Sequence, residues 1–163
     1  MSGRFVGALA SGKDTDVEIT RALKEDHKSL KEMLKTIRAS DDAAEIRATF
    51  EQFAALLGKH SKAEETVVYD ALIETGDEET EIDAREGYAE HLLADTLLNK
   101  LKAGADPLSA EWRAEVQVLQ ETLEHHIDEE EDKIFDDVKD SFEKDAREEM
   151  GAEFERLKEG TPA

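Results

Sequence analysis

The sequence predicts an all-α protein: an antiparallel up-down-up-down four-helix bundle over residues 17–139, with an N-terminal arm (1–16) and a short C-terminal helix and tail (140–163). Three observations predict it. Apolar residues recur at steps of three and four along four long segments, the period of an amphipathic helix. The connections between these segments are short and polar, which makes neighbouring helices antiparallel. Only two prolines occur in 163 residues, one of them next to the last, and no apolar–polar alternation suggests a strand.

The arm lacks strong periodicity, although Phe5, Val6 and Leu9 offer apolar surface. Asp16 suits the N-cap of a first helix, whose stripe is Ile19, Leu23, His27, Leu30, Leu34 and Ile37. The polar run Arg38 to Asp42 ends it. The second helix is expected over about 42–74, with Ile46, Phe50, Phe53, Leu57, His60, Glu64, Val67 and Val68 facing the core. Gly76 to Glu79 forms a solvated connection. The third helix, about 80–103, carries Ala84, Tyr88, His91, Asp95, Leu98 and Leu101. Gly104 ends it, and Ser109 caps the fourth, which carries Trp112, Val116, Leu119, Leu123, His126, Glu130 and Ile134. From Ser141 a weaker segment, with Met150, Phe154 and Leu157, predicts a short helix on the outside of the bundle.

Composition narrows the function. A net charge of -21 opposes nucleic-acid phosphates and anionic membrane surfaces. It is compatible with cation binding, although most of these carboxylates belong to solvated helix faces. The absence of cysteine removes disulfides, thiolate metal sites and thiol nucleophiles. No apolar run approaches the ~20 residues of a membrane span. The apolar stretch Phe5 to Ala10 is shorter than the ~7–15 residues of a signal-peptide core, so a cytoplasmic location is expected.

Two copies of one pattern carry the chemistry. His60-Ser-Lys-Ala-Glu64-Glu65 and His126-Ile-Asp-Glu-Glu130-Glu131 each place a histidine and a glutamate four residues apart, on one helical face. Each copy comes about one helix after another acidic–histidine pair, Asp26-His27 and Glu90-His91. The chain therefore reads as two similar helical hairpins whose packing brings all these side chains to one interior level. One histidine on an apolar stripe is usually an ordinary core residue. Four of four falling by chance on a stripe covering ~3/7 of a helix has a probability of about 0.03. Carboxylates buried without partners cost several kcal/mol each, which one or two metal cations would offset. Imidazole and carboxylate without sulfur suit iron, manganese or zinc. Asp95, four residues after His91, is a further candidate ligand, whereas His125 lies off the stripe. Tyr69, Tyr88 and Trp112 are assigned to packing.

With these motifs the sequence resembles the hemerythrin-like, or HHE cation-binding, domains. The carriers of the resemblance are Asp26-His27, His60 to Glu65, Glu90-His91 and His126 to Glu131, with Tyr69 and Phe135 as the aromatic after each paired glutamate. The resemblance implies two iron ions joined by an oxo or hydroxo group. It implies His27, His60, His91 and His126 as terminal ligands and Glu64 and Glu130 as bridges. It also implies dioxygen or peroxide as small ligands, with roles in oxygen or iron binding, sensing and oxidative-stress response. The oxygen-carrying members place a second histidine where this chain has Asp95, and a carboxylate-rich shell of that kind favours redox chemistry over oxygen carriage. Two other readings stand beside a binding or sensing protein. One is a di-iron enzyme, a ferroxidase or peroxide-decomposing catalyst; the other is an acidic helical bundle that binds a partner without functional metal.

Overall fold

A computed structural model of the chain describes residues 17–162. The expectations for the arm and for Asp16 as a cap lie outside the described residues. The described chain is an all-helical bundle: α1 (Ile19–Ala39), α2 (Ala43–Glu64), a π-helical turn (Glu65–Tyr69), α3 (Asp70–Thr75), α4 (Glu78–Ala103), α5 (Ala110–Glu129), a second π-helical turn (Glu130–Ile134), α6 (Phe135–Ser141) and α7 (Lys144–Gly160). None of these helices is long and apolar enough to cross a membrane.

Local chemistry sets the helix starts. Asp42 accepts from the amides of Ala44 and Glu45. Asp77 accepts from that of Thr80, and Ser109 from that of Trp112. Each satisfies amides that the first turn leaves without partners. At the other end of α4, the Trp112 indole donates to the Leu101 carbonyl at 3.2 Å, which ties α5 to α4 across the Gly104 turn.

The second and fourth helices differ from the expectation of uninterrupted α-helix. A π-helical turn interrupts each, immediately after Glu64 and beginning at Glu130. The extra residue in each wide turn rotates the downstream helix by roughly 100° relative to a continuous α-helix. In the first, Val67, Val68 and Tyr69 are thereby all buried. Hydropathy periodicity cannot show such a turn, because one added residue in a run of apolar side chains leaves the pattern readable either way.

The core has two apolar layers. One contains Leu30, Leu34, Phe50, Phe53, Leu57, Leu98, Trp112, Leu119 and Leu123. The other contains Ile19, Leu23, Val68, Tyr69, Leu72, Phe135, Val138 and Phe154. The four histidines fall in the sequence between members of the two layers, and they mark a polar stratum between them.

The C-terminal segment forms a longer helix than expected, 17 residues in α7, packed on α1 and α2. Its Phe154 is fully buried. Arg147 Nε donates to Glu18 at 2.9 Å, pinning α7 to the start of α1. Gly151 makes the close approach possible: a Cβ there would lie 1.9 Å from the Val17 carbonyl oxygen. Gly151→Ala is therefore expected to push α7 off α1. The expected cost is about 1–3 kcal/mol, the range for overpacking, seen as a melting temperature lower by several degrees. An unchanged melting temperature would show that α7 docks without this contact.

Candidate metal centre

The four stripe histidines and two glutamates meet. They form two groups whose ligand atoms lie within 4.8 Å of one another: His27, His60, Glu64 and Glu130, and Glu64, His91, His126 and Glu130. All six residues are buried, with Glu64 at 0% and Glu130 at 1% exposure. The two groups share both glutamates. Glu64 places Oε2 at 3.4 Å from His60 Nε2 and Oε1 at 3.0 Å from His91 Nε2. Glu130 places Oε1 at 3.2 Å from His27 Nε2 and Oε2 at 3.2 Å from His126 Nε2. Each carboxylate thus gives one oxygen to each group, an arrangement that suits two cations side by side.

Several of these atoms have no hydrogen-bond partner: His27 Nε2, both oxygens of Glu64, and Glu130 Oε1. Orphaned polar atoms at this depth cost free energy unless something else satisfies them. His91 Nε2 and His126 Nε2 face each other at 3.2 Å, a pairing that a shared cation relieves. The donor set, imidazole nitrogen and carboxylate oxygen, is that of a first-row transition metal. The residues present fit a metal site.

Each histidine is oriented from behind. His60 Nδ1 donates to Asp26 at 2.9 Å, and His126 Nδ1 to Glu90 at 3.0 Å. His91 Nδ1 donates to Glu65 at 2.9 Å, and His27 Nδ1 to Glu131 at 3.3 Å. These bonds fix the tautomer and turn every Nε2 inward, the outer arrangement typical of metal-binding histidine. Sequence reasoning singled out the six inner residues and missed these four carboxylates as a set. The signal was in the doublets: neighbours on a helix point about 100° apart. The acid beside an inner residue on one helix therefore reaches the histidine of another.

Two inner-shell expectations change. Asp95 is not brought to the centre; it is exposed and accepts a bond from Asn99. The buried stripe of α4 runs Ala84, Gly87, His91, Ala94, Leu98, Leu101, so its midline lies on the Ala94 side of His91 and Asp95 is turned to the edge. The inner set is four histidines and two glutamates, so Asp95 does not enrich the shell in carboxylate and gives no ground for a redox bias. Tyr69, assigned to packing, enters the site instead. Its hydroxyl donates to Glu130 Oε2 at 2.7 Å and lies 3.5 Å from His91 Nε2 and 3.4 Å from His126 Nε2. The π-helical turn carries it there, and Gly87 makes room, since a Cβ at that position would lie 2.6 Å from the phenol oxygen. In the repeated motif the equivalent residue is Phe135, which stacks on His27 at 6.3 Å between ring centroids. The two groups are alike in ligands and unlike in their aromatic neighbour. Tyr88 and Trp112 remain outside the site.

The electrostatics are those of a site held by protons when no metal is present. Burial lowers the pKa of His60, but the Glu64 charge and the bond to Asp26 outweigh it and push it up to about 10. His91 is raised by the close Glu64 carboxylate and its bond to Glu65 against the same burial, and His126, also against burial, is raised strongly by Glu130 and Glu90. Burial raises Glu64, yet the His60 charge and the close approach of the His60 and His91 imidazoles hold it well below the usual carboxylate range. Burial and the Glu130 charge push the Tyr69 phenol well up.

Helix α7 reaches this set through Lys158, whose Nζ donates to both Asp26 oxygens at 2.9 and 2.8 Å. Lys158→Met is expected to loosen Asp26 and, through it, His60. Outer partners of ligand histidines are worth about 10–100-fold in metal affinity. One bond further out, a loss of roughly tenfold or less is expected for a cation held by His27 and His60, with one held by His91 and His126 unchanged. Chelator competition resolves the two; equal affinities in variant and parent would exclude the effect.

The hemerythrin HHE cation-binding domain family model matches residues 18–138. A curated relative from Nostoc sp. (strain PCC 7120 / SAG 25.82 / UTEX 2576), named DNA nickase, is 27% identical over 158 residues, 96% of this chain and 44% of the relative. The chain thus spans less than half the length of that relative. No solved structure matches the chain.

Proposed function

Because the chain belongs to the hemerythrin HHE cation-binding family, we propose that it is a non-haem di-iron protein that binds or senses dioxygen or iron, or serves in oxidative-stress response. The observation that carries this reading is the sharing of Glu64 and Glu130, each with one oxygen toward each histidine pair. In this reading His27 and His60 hold one ion, His91 and His126 the other, and the two glutamates bridge. The helices α1, α2, α4 and α5 take the antiparallel up-down-up-down order in which two similar hairpins form one cage. Bound iron supplies one-electron chemistry and affinity for dioxygen or peroxide. The chain's own residues fix the ions through imidazoles aligned by Asp26, Glu65, Glu90 and Glu131. Two apolar layers exclude bulk water, and the Tyr69 phenol holds a proton at Glu130.

Anaerobic loading with ferrous iron is expected to give two irons per chain, with near-ultraviolet absorption appearing on exposure to air and shifting with azide. Fewer than one iron per chain, or retention of zinc alone under iron-rich expression, removes the di-iron reading. An enzymatic reading is favoured by the phenol at 2.7 Å from Glu130, a proton donor inside the site. Peroxide decomposition faster than that of free iron, and slowed in Tyr69→Phe, would establish it. The nickase activity of the relative is not carried over, since a net charge of -21 opposes DNA phosphates. A supercoiled plasmid nicked by the iron-loaded chain, and left intact by a His126→Ala variant, would reverse that judgement.

A further inference from the structure

A narrow cleft runs between α4 and the end of α5, walled by Asp83, Glu86 and Glu90 on one side and by Glu129 and Lys133 on the other. It ends on Tyr69, His126 and Glu130, so it brings solvent close to the buried centre. Its cavity volume is about 10 Å³, which admits a water or a bare ion and no organic molecule. Glu130 at its inner end is 1% exposed; its Oε2 accepts from Tyr69, and its unpartnered Oε1 faces His27 beyond.

Glu90 and Glu129 of its walls form, with the neighbouring His125, a trio of metal-ligand type. His125 and Glu129 lie one turn apart on α5, with His125 Nε2 3.6 Å from Glu129 Oε1. Glu90 faces them from α4, and the ligand atoms of the three lie within 4.8 Å of one another. Glu90 also accepts from His126 Nδ1 through Oε1, so it links the outer trio to an inner histidine. Two of the other three outer carboxylates face ammonium groups, Asp26 with Lys158 at 2.8 Å and Glu131 with Lys24 at 3.8 Å. Beside Glu90 stand the His125 imidazole and Glu129, whose Oε1 also lies 3.9 Å from the exposed Lys133 ammonium, a contact that a bound cation displaces. A pair of exposed His and Glu on one helix turn is common; its union with a carboxylate from a second helix, at the head of a cleft ending on buried ligands, is what points to a cation.

We propose that Glu90, His125 and Glu129 form an outer site for a divalent first-row cation, from which the ion passes down the cleft to the buried pair. The transfer step rests on the di-iron reading above; the outer site does not. The acidic surface concentrates cations at the mouth, as charge-lined clefts do, and the imidazole selects transition metals over magnesium or calcium.

The test is a His125→Ala/Glu129→Gln double variant, which touches none of the six inner residues. Anaerobic ferrous iron is mixed with the chain, and stopped-flow chelator quenching reads the rate at which iron becomes protected. Loading roughly tenfold slower, with the final chelator-protected iron per chain unchanged, is the expected result. Glu111→Gln, exposed on the first turn of α5, serves as the control for lost charge and should load at the parent rate. Equal rates in the double variant and the parent overturn the passage. Should the parent take up no iron, the di-iron reading fails by itself, and cobalt(II) titration then judges the outer site. One ion per chain lost in the double variant keeps it; equal binding removes it.

Discussion

Replacing Glu130 alone by glutamine is expected to empty both metal positions, whereas His27→Ala empties one. The difference comes from the geometry of the carboxylate. His27 gives its Nε2 to one group of ligands, while Glu130 gives Oε1 to that group and Oε2 to the other. Loss of its charge leaves each position two imidazoles and one oxygen of Glu64, in a site walled off from bulk water by the two apolar layers. Stability should report the same event. Two ions, each at about 100 times its dissociation constant, stabilise a fold by about 5 kcal/mol. For a chain of this length that is on the order of 10 °C or more in melting temperature. In Glu130→Gln this metal-dependent rise should vanish, and the metal-free protein should itself melt below its parent, because glutamine keeps only one acceptor oxygen and loses the charge that raises His126. Elemental analysis and paired melting curves check both statements. If Glu130→Gln kept one metal per chain, as His27→Ala should, the shared-carboxylate arrangement would be wrong.

The fold was legible because its signals are local and repeated. Stripes at helical spacing, the polar breaks between Arg38 and Asp42 and between Gly104 and Ser109, and the cap at Ser109 all reappear in the structure. The inner residues were legible because a histidine or glutamate on an apolar stripe breaks the pattern that surrounds it. The illegible features depend on rotation about the helix axis. The π-helical turns shift Tyr69 by one position, and no hydropathy pattern registers an inserted residue among Val67, Val68 and Tyr69. Asp95 illustrates the opposite error. A spacing of four from His91 placed it on the stripe, yet α4 buries Ala94 and leaves Asp95 in solvent. Spacing fixes the angle between two residues, but which of them faces the core depends on the neighbouring helices. Lys158 was beyond reach for a third reason. Its partner Asp26 lies 132 residues away, and only tertiary packing joins them.

The second large effect is a pH dependence that separates the metal-free from the metal-loaded chain. Without metal, the folded site holds protons that the unfolded chain releases near pH 6.5. His60 is raised to about 10, and His91 and His126 are raised by the carboxylates around them. For groups raised in this way the stabilisation is fully present below about pH 6.5 and is lost as pH climbs, through about 10 for His60. On the acid side Asp26, Glu64 and Glu90 are lowered, so their contribution is present above the ordinary carboxylate range and is lost as pH falls below it. The metal-free chain should therefore melt highest in mildly acidic buffer and weaken toward pH 9. Metal reverses the alkaline limb, because a ligand imidazole must give up its proton before it binds. Loading at pH 7 should release at least the His60 proton, with further release from the raised His91 and His126. Each such proton raises affinity up to about tenfold per pH unit. The gap between loaded and metal-free melting temperatures is thus expected to widen from pH 6 to 9, and calorimetry in two buffers of different ionisation enthalpy should count the protons. A constant gap with no proton release would mean that the ions sit on the surface carboxylates and leave the histidines protonated.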